Sequence, residues 1–187
     1  MAKSSIDLGM GSFTYADLER LTDDERSHYE LSYGTLVVTP APNTQHQLIL
    51  GKVVAFLERN RLPSQVVLPE AELLIQPDLV KRPDVQVVDE KLVGGQCVTG
   101  TPDLVVEILS PATRMIDLTE KRTVYEQAGI QAYWLIDPET LELTVLELDG
   151  LREGRYVHRQ PSSTGRIEIS VPVTLSIDPT NVSGGLP

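Results

Sequence analysis

Cysteine is almost missing from this chain: Cys97 is the only one in 187 residues. That excludes an internal disulfide and any thiolate metal cluster within one chain. With no partner motif around it, Cys97 reads as a small packed or loop residue. No apolar run approaches the ~20 residues a membrane-spanning helix needs. The opening Met1-Ala2-Lys3-Ser4-Ser5-Ile6-Asp7 has no apolar signal core. Together these absences predict no export, no membrane partner and a reducing cytoplasm. The Gly-x-x-x-x-Gly-Lys phosphate loop and the dinucleotide glycine fingerprint are also missing, which disfavours ATP and NAD chemistry. Ser110 lacks a Gly-x-Ser-x-Gly elbow and a well-placed histidine, so with Thr113 it ends a strand rather than supplying a nucleophile. Positive charge is scarce as well: 16 Lys and Arg stand against 27 Asp and Glu, a net charge of −11. Neutralised phosphates supply most of the affinity for nucleic acid, so this balance weighs against a broadly basic face. The basic residues nevertheless gather mid-chain (Lys81, Arg82, Arg114, Lys121 and Arg122 among them), which leaves room for a local basic rim on an acidic body.

What is present suits one domain with a real core: 41% hydrophobic and 23% charged residues. Residues 1–13 are polar and aperiodic and read as a flexible N-terminal tail, 14–177 as the domain and 178–187 as a flexible C-terminal tail. Thr14 with Asp17 three positions on predicts a short helix over 15–21. Tyr29–Leu31 and Thr35–Val38 predict a hairpin. Asn43 or Thr44 caps a predicted helix over 45–60, whose apolar residues fall at helical spacing. Short strands follow at 65–68, 72–75, 85–88 and 104–109. A helix over 118–128 is expected to be capped by Asp117 and stopped by Gly129. Strands at 132–136, 141–148 and 156–157, and one within 166–175, complete an α/β or α+β layer structure. Tyr133 and Trp134 lie in an apolar run and read as core.

Two carboxylates break this pattern. Pro83-Asp84 leads into Val85-Gln86-Val87-Val88, and Glu107 interrupts Leu104-Val105-Val106-Glu107-Ile108-Leu109. Such runs read as strands buried on both faces, where an unpaired carboxylate is costly. A divalent cation relieves that cost. Mg²⁺ on Asp84 and Glu107, with the Ile108 carbonyl as a third ligand, would acidify a water and polarise a phosphate. Lys121 on the next helix can orient that water or stabilise the developing charge, and Glu30 can bind the metal directly or through water. Two further candidates are accessory: Gln86, on the same strand face as Asp84, and His46, as a phosphate contact or proton carrier. His28 and His158 read as surface residues.

The whole series, Pro83-Asp84, Val106-Glu107-Ile108-Leu109-Ser110-Pro111-Ala112-Thr113, Glu120-Lys121-Arg122-Thr123-Val124-Tyr125 and Tyr133-Trp134-Leu135-Ile136-Asp137-Pro138, resembles the Uma-two family of putative restriction endonucleases. That family is a branch of the PD-(D/E)XK nuclease superfamily. Tyr29-Glu30-Leu31-x-x-Gly34-x-Leu36 and Pro42-x-x-x-His46 resemble it too, and the likeness spans roughly residues 14–150. It implies a restriction-endonuclease-like mixed central sheet flanked by helices, a Mg²⁺ site in which Mn²⁺ can substitute, DNA as substrate, and a homodimer. The superfamily lysine belongs two residues after the second acid, where this chain has Leu109. The family takes it from the following helix, which matches Lys121.

Plainer readings stand beside these. Asp84 after proline can cap a turn, Glu107 can occupy an accidental surface position, Lys121 can be a solvated helix residue, Glu30 can lie on an exposed hairpin, and His46 can cap or pack. At the level of the whole chain, the alternatives are a catalytically inactive nuclease fold that binds a protein or nucleic acid, and a phosphodiesterase for small nucleotides.

Overall fold

In a computed structural model, which describes residues 12–21, 27–149, 154–158, 165–170, 172 and 174–183, the chain opens with one helical turn, α1 (Tyr15–Leu18). The hairpin β1 (Ser27–Ser32) and β2 (Thr35–Pro40) and the helix α2 (Thr44–Asn60) come next. Four strands then follow: β3 (Gln65–Pro69), β4 (Leu73–Gln76), β5 (Leu79–Lys81) and β6 (Val85–Asp89). After β7 (Leu104–Ile108) comes a continuous helical run made of α3 (Arg114–Ile116), a π-helical turn (Asp117–Lys121) and α4 (Arg122–Gln127). The strands β8 (Ala132–Asp137), β9 (Glu142–Asp149), β10 (Arg155–His158), β11 (Ile167–Ile169) and β12 (Leu175–Ile177) precede the short helix α5 (Thr180–Ser183).

Six strands form the central sheet in the order β10-β9-β8-β7-β6-β3. It is mixed: β7 and β8 run parallel and the other neighbours antiparallel. The helical run between β7 and β8 is the crossover that a parallel pair requires. Alternation along the strands sorts side chains onto two faces. Val85, Val87, Leu104, Val106, Ile108 and Trp134 face α2 and α5. Val88, Val105, Tyr133 and Leu135 face Val124 and Tyr125 of α4. Both faces are covered, so the central strands carry near-continuous apolar runs. A smaller antiparallel sheet, β2-β1-β5-β4, packs its own cluster of Leu18, Leu31 and Val80.

Local signals account for most boundaries. Asn43 caps α2, its side chain accepting from the backbone N–H of His46 at 2.9 Å. Gly129, at φ 75°, closes α4 in a Schellman motif. Its N–H donates to the Glu126 carbonyl, and that of Ile130 donates to the Tyr125 carbonyl.

Several expectations are revised. The crossover helix begins at Arg114, not at 118, so Asp117 lies inside it as a buried residue rather than as its cap. The strand expected within 166–175 is a hairpin, β11 with β12. The strand β5 had not been expected at all. At the chain ends, Phe13 packs against the small-sheet cluster and Val182 is fully buried in the main core. The ordered fold therefore reaches beyond 14–177 on both sides. The rest of each expected tail, 1–11 and 184–187, lies outside the described residues.

Candidate active site

The β6–β7 register pairs Val85 with Val106, so one step further Asp84 stands opposite Glu107. By strand alternation Glu107 faces the crossover helix and not α2. There the helix presents Asp117, Lys121 and Tyr125 from successive turns, all buried. Lys121 Nζ lies 2.9 Å from Glu107 Oε1, 3.1 Å from Glu30 Oε1 and 3.4 Å from Asp117 Oδ1. Tyr125 donates its hydroxyl to the same Glu107 Oε1 at 2.9 Å. Glu30 arrives from β1 of the small sheet, where it also accepts the Arg82 backbone N–H at 3.0 Å. One ammonium therefore serves three carboxyls in a nearly dry space: Glu107 is 3% exposed, and Glu30 and Lys121 are 5% exposed.

The electrostatics follow from that arithmetic. Complete burial pushes the Glu107 carboxyl well above its usual range, with Lys121 opposing and Asp117, Asp84 and Glu30 reinforcing the shift. Burial raises Asp117 too, against the pull of Lys121. For Lys121, burial works against the charge, but Glu107 and Glu30 outweigh it and hold the ammonium well above its ordinary value. The Thr113 side chain adds a smaller downward pull at Asp117. The cluster thus gathers more carboxyls than cations in a poorly solvated place.

Asp84 stands at the edge of this cluster. Its Oδ2 accepts the Ile108 N–H at 2.6 Å and lies 3.1 Å from His46 Nε2. Burial lowers the His46 pKa, but its contact with Asp84 reverses the effect and the net shift is upward. The Ile108 carbonyl also approaches this imidazole. The hydrogen bonds to both key acids fall on one oxygen each, so Asp84 Oδ1 and Glu107 Oε2 accept none among the described residues. These free hard oxygens and the Ile108 carbonyl are the donor types that Mg²⁺ prefers. Among the described residues no three His, Cys, Asp or Glu side chains make a ready metal cluster. Two carboxylates and a carbonyl, completed by water, suit Mg²⁺, which keeps several waters.

A cavity of about 530 Å³ opens over these groups and is lined by Glu30, His46, Asp84, Glu107, Ile108 and Lys121. It sits at the carboxyl ends of the parallel strands β7 and β8, where open α/β sheets usually place ligands. Gln86 does not join it. Its Nε2 is spent on the Ala71 carbonyl at 2.8 Å, which pins the β3–β4 turn above β6. His28, expected at the surface, is 29% exposed at its side chain and also lines the cavity; the side chain of His158 lies outside the described residues. Three participants escaped the sequence reading. Asp117 and Tyr125 sit four residues to either side of Lys121, a helical spacing that could have flagged them. Lys81 is 1% exposed, lies 2.6 Å from Glu120 Oε1 and 4.0 Å from Glu30 Oε2, and its only signal was its place in an apolar triplet.

A family model described as "Uma2: Putative restriction endonuclease" matches residues 15–179. Among solved structures, a crystal structure described as a putative nuclease belonging to DUF820, from Anabaena variabilis ATCC 29413, superposes with a TM-score of 0.68. It is 19% identical, and the match covers 91% of this chain and 97% of that one; at that identity the likeness speaks for the fold. No curated protein matches the chain. No helix among the described residues is long and apolar enough to cross a membrane.

Proposed function

Since the chain belongs to the Uma2 family of restriction-endonuclease-like proteins, we propose that it is a Mg²⁺-dependent endonuclease that hydrolyses DNA phosphodiester bonds. The observation carrying this reading is the pair of acids, Asp84 and Glu107, facing one cavity with a buried lysine 2.9 Å from the second. Asp84 Oδ1, Glu107 Oε2 and the Ile108 carbonyl would hold the ion, with Mn²⁺ able to substitute. When bound, the ion supplies Lewis-acid polarisation of the phosphate and a water of lowered pKa.

The chain's own groups do the rest. Tyr125 and Lys121 fix the Glu107 carboxylate through Oε1 and leave its other oxygen available. His46 and the Ile108 N–H do the same for Asp84. Glu30 anchors Lys121 from the opposite side, so that the ammonium stays at the cavity floor. There it stabilises charge building on the phosphoryl oxygens or orients the attacking water. Attack in line with the leaving oxygen would give a 3′-hydroxyl and a 5′-phosphate.

Circular single-stranded and supercoiled double-stranded DNA, incubated with Mg²⁺ or Mn²⁺, test the reading. Wild type is expected to open the circles, while Asp84→Ala and Glu107→Ala leave them intact. Equal cutting by all three proteins would refute the assignment.

A further inference from the structure

Building on that nuclease reading, we infer that the cavity accepts its DNA strand unpaired, as a single-stranded segment rather than an intact duplex. Size is the first argument. A space of about 530 Å³ falls within the roughly 300–1,000 Å³ that encloses a drug-sized molecule. It has room for a nucleotide and its phosphate. Glu30, Glu107 and Lys121 lie on its floor, at most 5% exposed, below the Asp84 side chain at 17%, so a scissile phosphate has to descend past Asp84 to reach them. A duplex is a stiff rod with a persistence length of about 50 nm. Bending one of its phosphates down to Glu107 and Lys121 therefore costs more than lowering a flexible single strand.

Wall chemistry is the second argument. Pro40 at the end of β2, Ala41 and Pro42 in the link to α2, Pro111 and Ala112 after β7, and Pro138 after β8 line the cavity. They offer apolar surface, and the proline rings hold their backbone dihedral fixed. A stacked, paired base shows its edges in the grooves and keeps its faces covered by its neighbours. The flat apolar face that such walls would cover is exposed only when the base is unpaired, as sites that bind single strands through base faces exploit.

Charge agrees. Among the described residues, the Lys and Arg side chains lining the cavity are Arg82, Arg114 and Lys121. Of these, Arg114 lies 2.8 Å from Asp137 Oδ2 and Lys121 is already surrounded by carboxyls. A footprint across both strands of a duplex calls for many more phosphate contacts.

The test compares one labelled oligonucleotide in three forms: single-stranded, fully paired, and paired around a central unpaired bubble. Each is incubated with the full-length protein and Mg²⁺ or Mn²⁺, with Glu107→Gln in parallel. Binding of the same forms is followed by fluorescence anisotropy with the metal chelated. The single strand and the bubble should be cut at least about tenfold faster than the full duplex, with cuts mapping inside the bubble, and the single strand should bind more tightly. A duplex cut as fast as the single strand, bubble cuts in the paired arms, or equal binding of duplex and single strand would overturn the inference and leave the nuclease reading standing. No cleavage of any form, or cleavage unchanged in Glu107→Gln, would overturn both.

Discussion

A buried ammonium needs compensation within a few ångströms, and Lys121 finds it in Glu107, Glu30 and Asp117. The dependence is mutual for Glu107 and Asp117, whose nearest ammonium is Lys121, while Glu30 also has Lys81 at 4.0 Å. Lys121→Met should therefore destabilise the fold by about 3–5 kcal/mol, the usual cost of breaking a buried pair from one side. Urea denaturation measures this. The same change should lower kcat by about 10²–10³-fold if the ammonium stabilises developing charge. His46 offers a pH signature. Its pKa is raised in the folded state by Asp84, against the effect of burial, so the native protein binds the proton more tightly than the unfolded chain. The stabilisation is thus fully present below the unfolded value of about 6.5 and fades as pH rises through the folded value. His46→Gln should be less stable than wild type by roughly 1–3 kcal/mol in mildly acidic solution, with the gap narrowing in alkali; urea midpoints across pH check the trend. A gap that widens with pH would contradict this sign. At this scale Asp84 and Glu107 were legible because an acid inside an apolar strand has few inexpensive explanations. Gln86 was misjudged because its partner, the Ala71 carbonyl, belongs to a turn whose position no local pattern encodes.

The crossover helix shows what element-level patterns convey and what they miss. Its end was readable from Gly129, whose positive φ any side chain would strain; Gly129→Ala should cost about 1 kcal/mol of stability. Its beginning was not. Asp117 has the chemistry of a cap, yet the helix starts at Arg114 and carries Asp117 inward through a π-helical turn. Such turns are rare and gather at functional sites, and here one turns Asp117 and Lys121 toward the same carboxylates. The strand β5 was missed because three residues give too short a run to show alternation, although it brings Lys81 beside Glu30. The start of α2 was readable from Asn43, and that cap reaches the site because it accepts from the His46 N–H. Asn43→Ala should cost about 0.5–2 kcal/mol in stability and loosen the hold of His46 on Asp84. A urea midpoint unchanged from wild type would remove the cap from this account.

Across the whole molecule, a mixed sheet covered on both faces and a smaller sheet packed beside it bring residues 30, 46, 84, 107 and 121 to one cavity. The layer class was visible in the order of elements. The small sheet was not, because its strands pair across some fifty residues of sequence (Leu31 with Val80). With a net charge of −11 and few cations at the cavity, DNA binding should depend weakly on salt. A log–log slope of about −1 to −3 is expected, far from the −6 to −10 of proteins that grip many phosphates. Anisotropy titrations at several salt concentrations give that slope. The central claim is that Asp84 and Glu107 together hold a divalent ion above Lys121. Mn²⁺ titration followed by electron paramagnetic resonance tests it most directly. Wild type should bind saturably, and Asp84→Asn and Glu107→Gln should each weaken binding by more than about tenfold; Mn²⁺ affinity unchanged in both variants would contradict the claim.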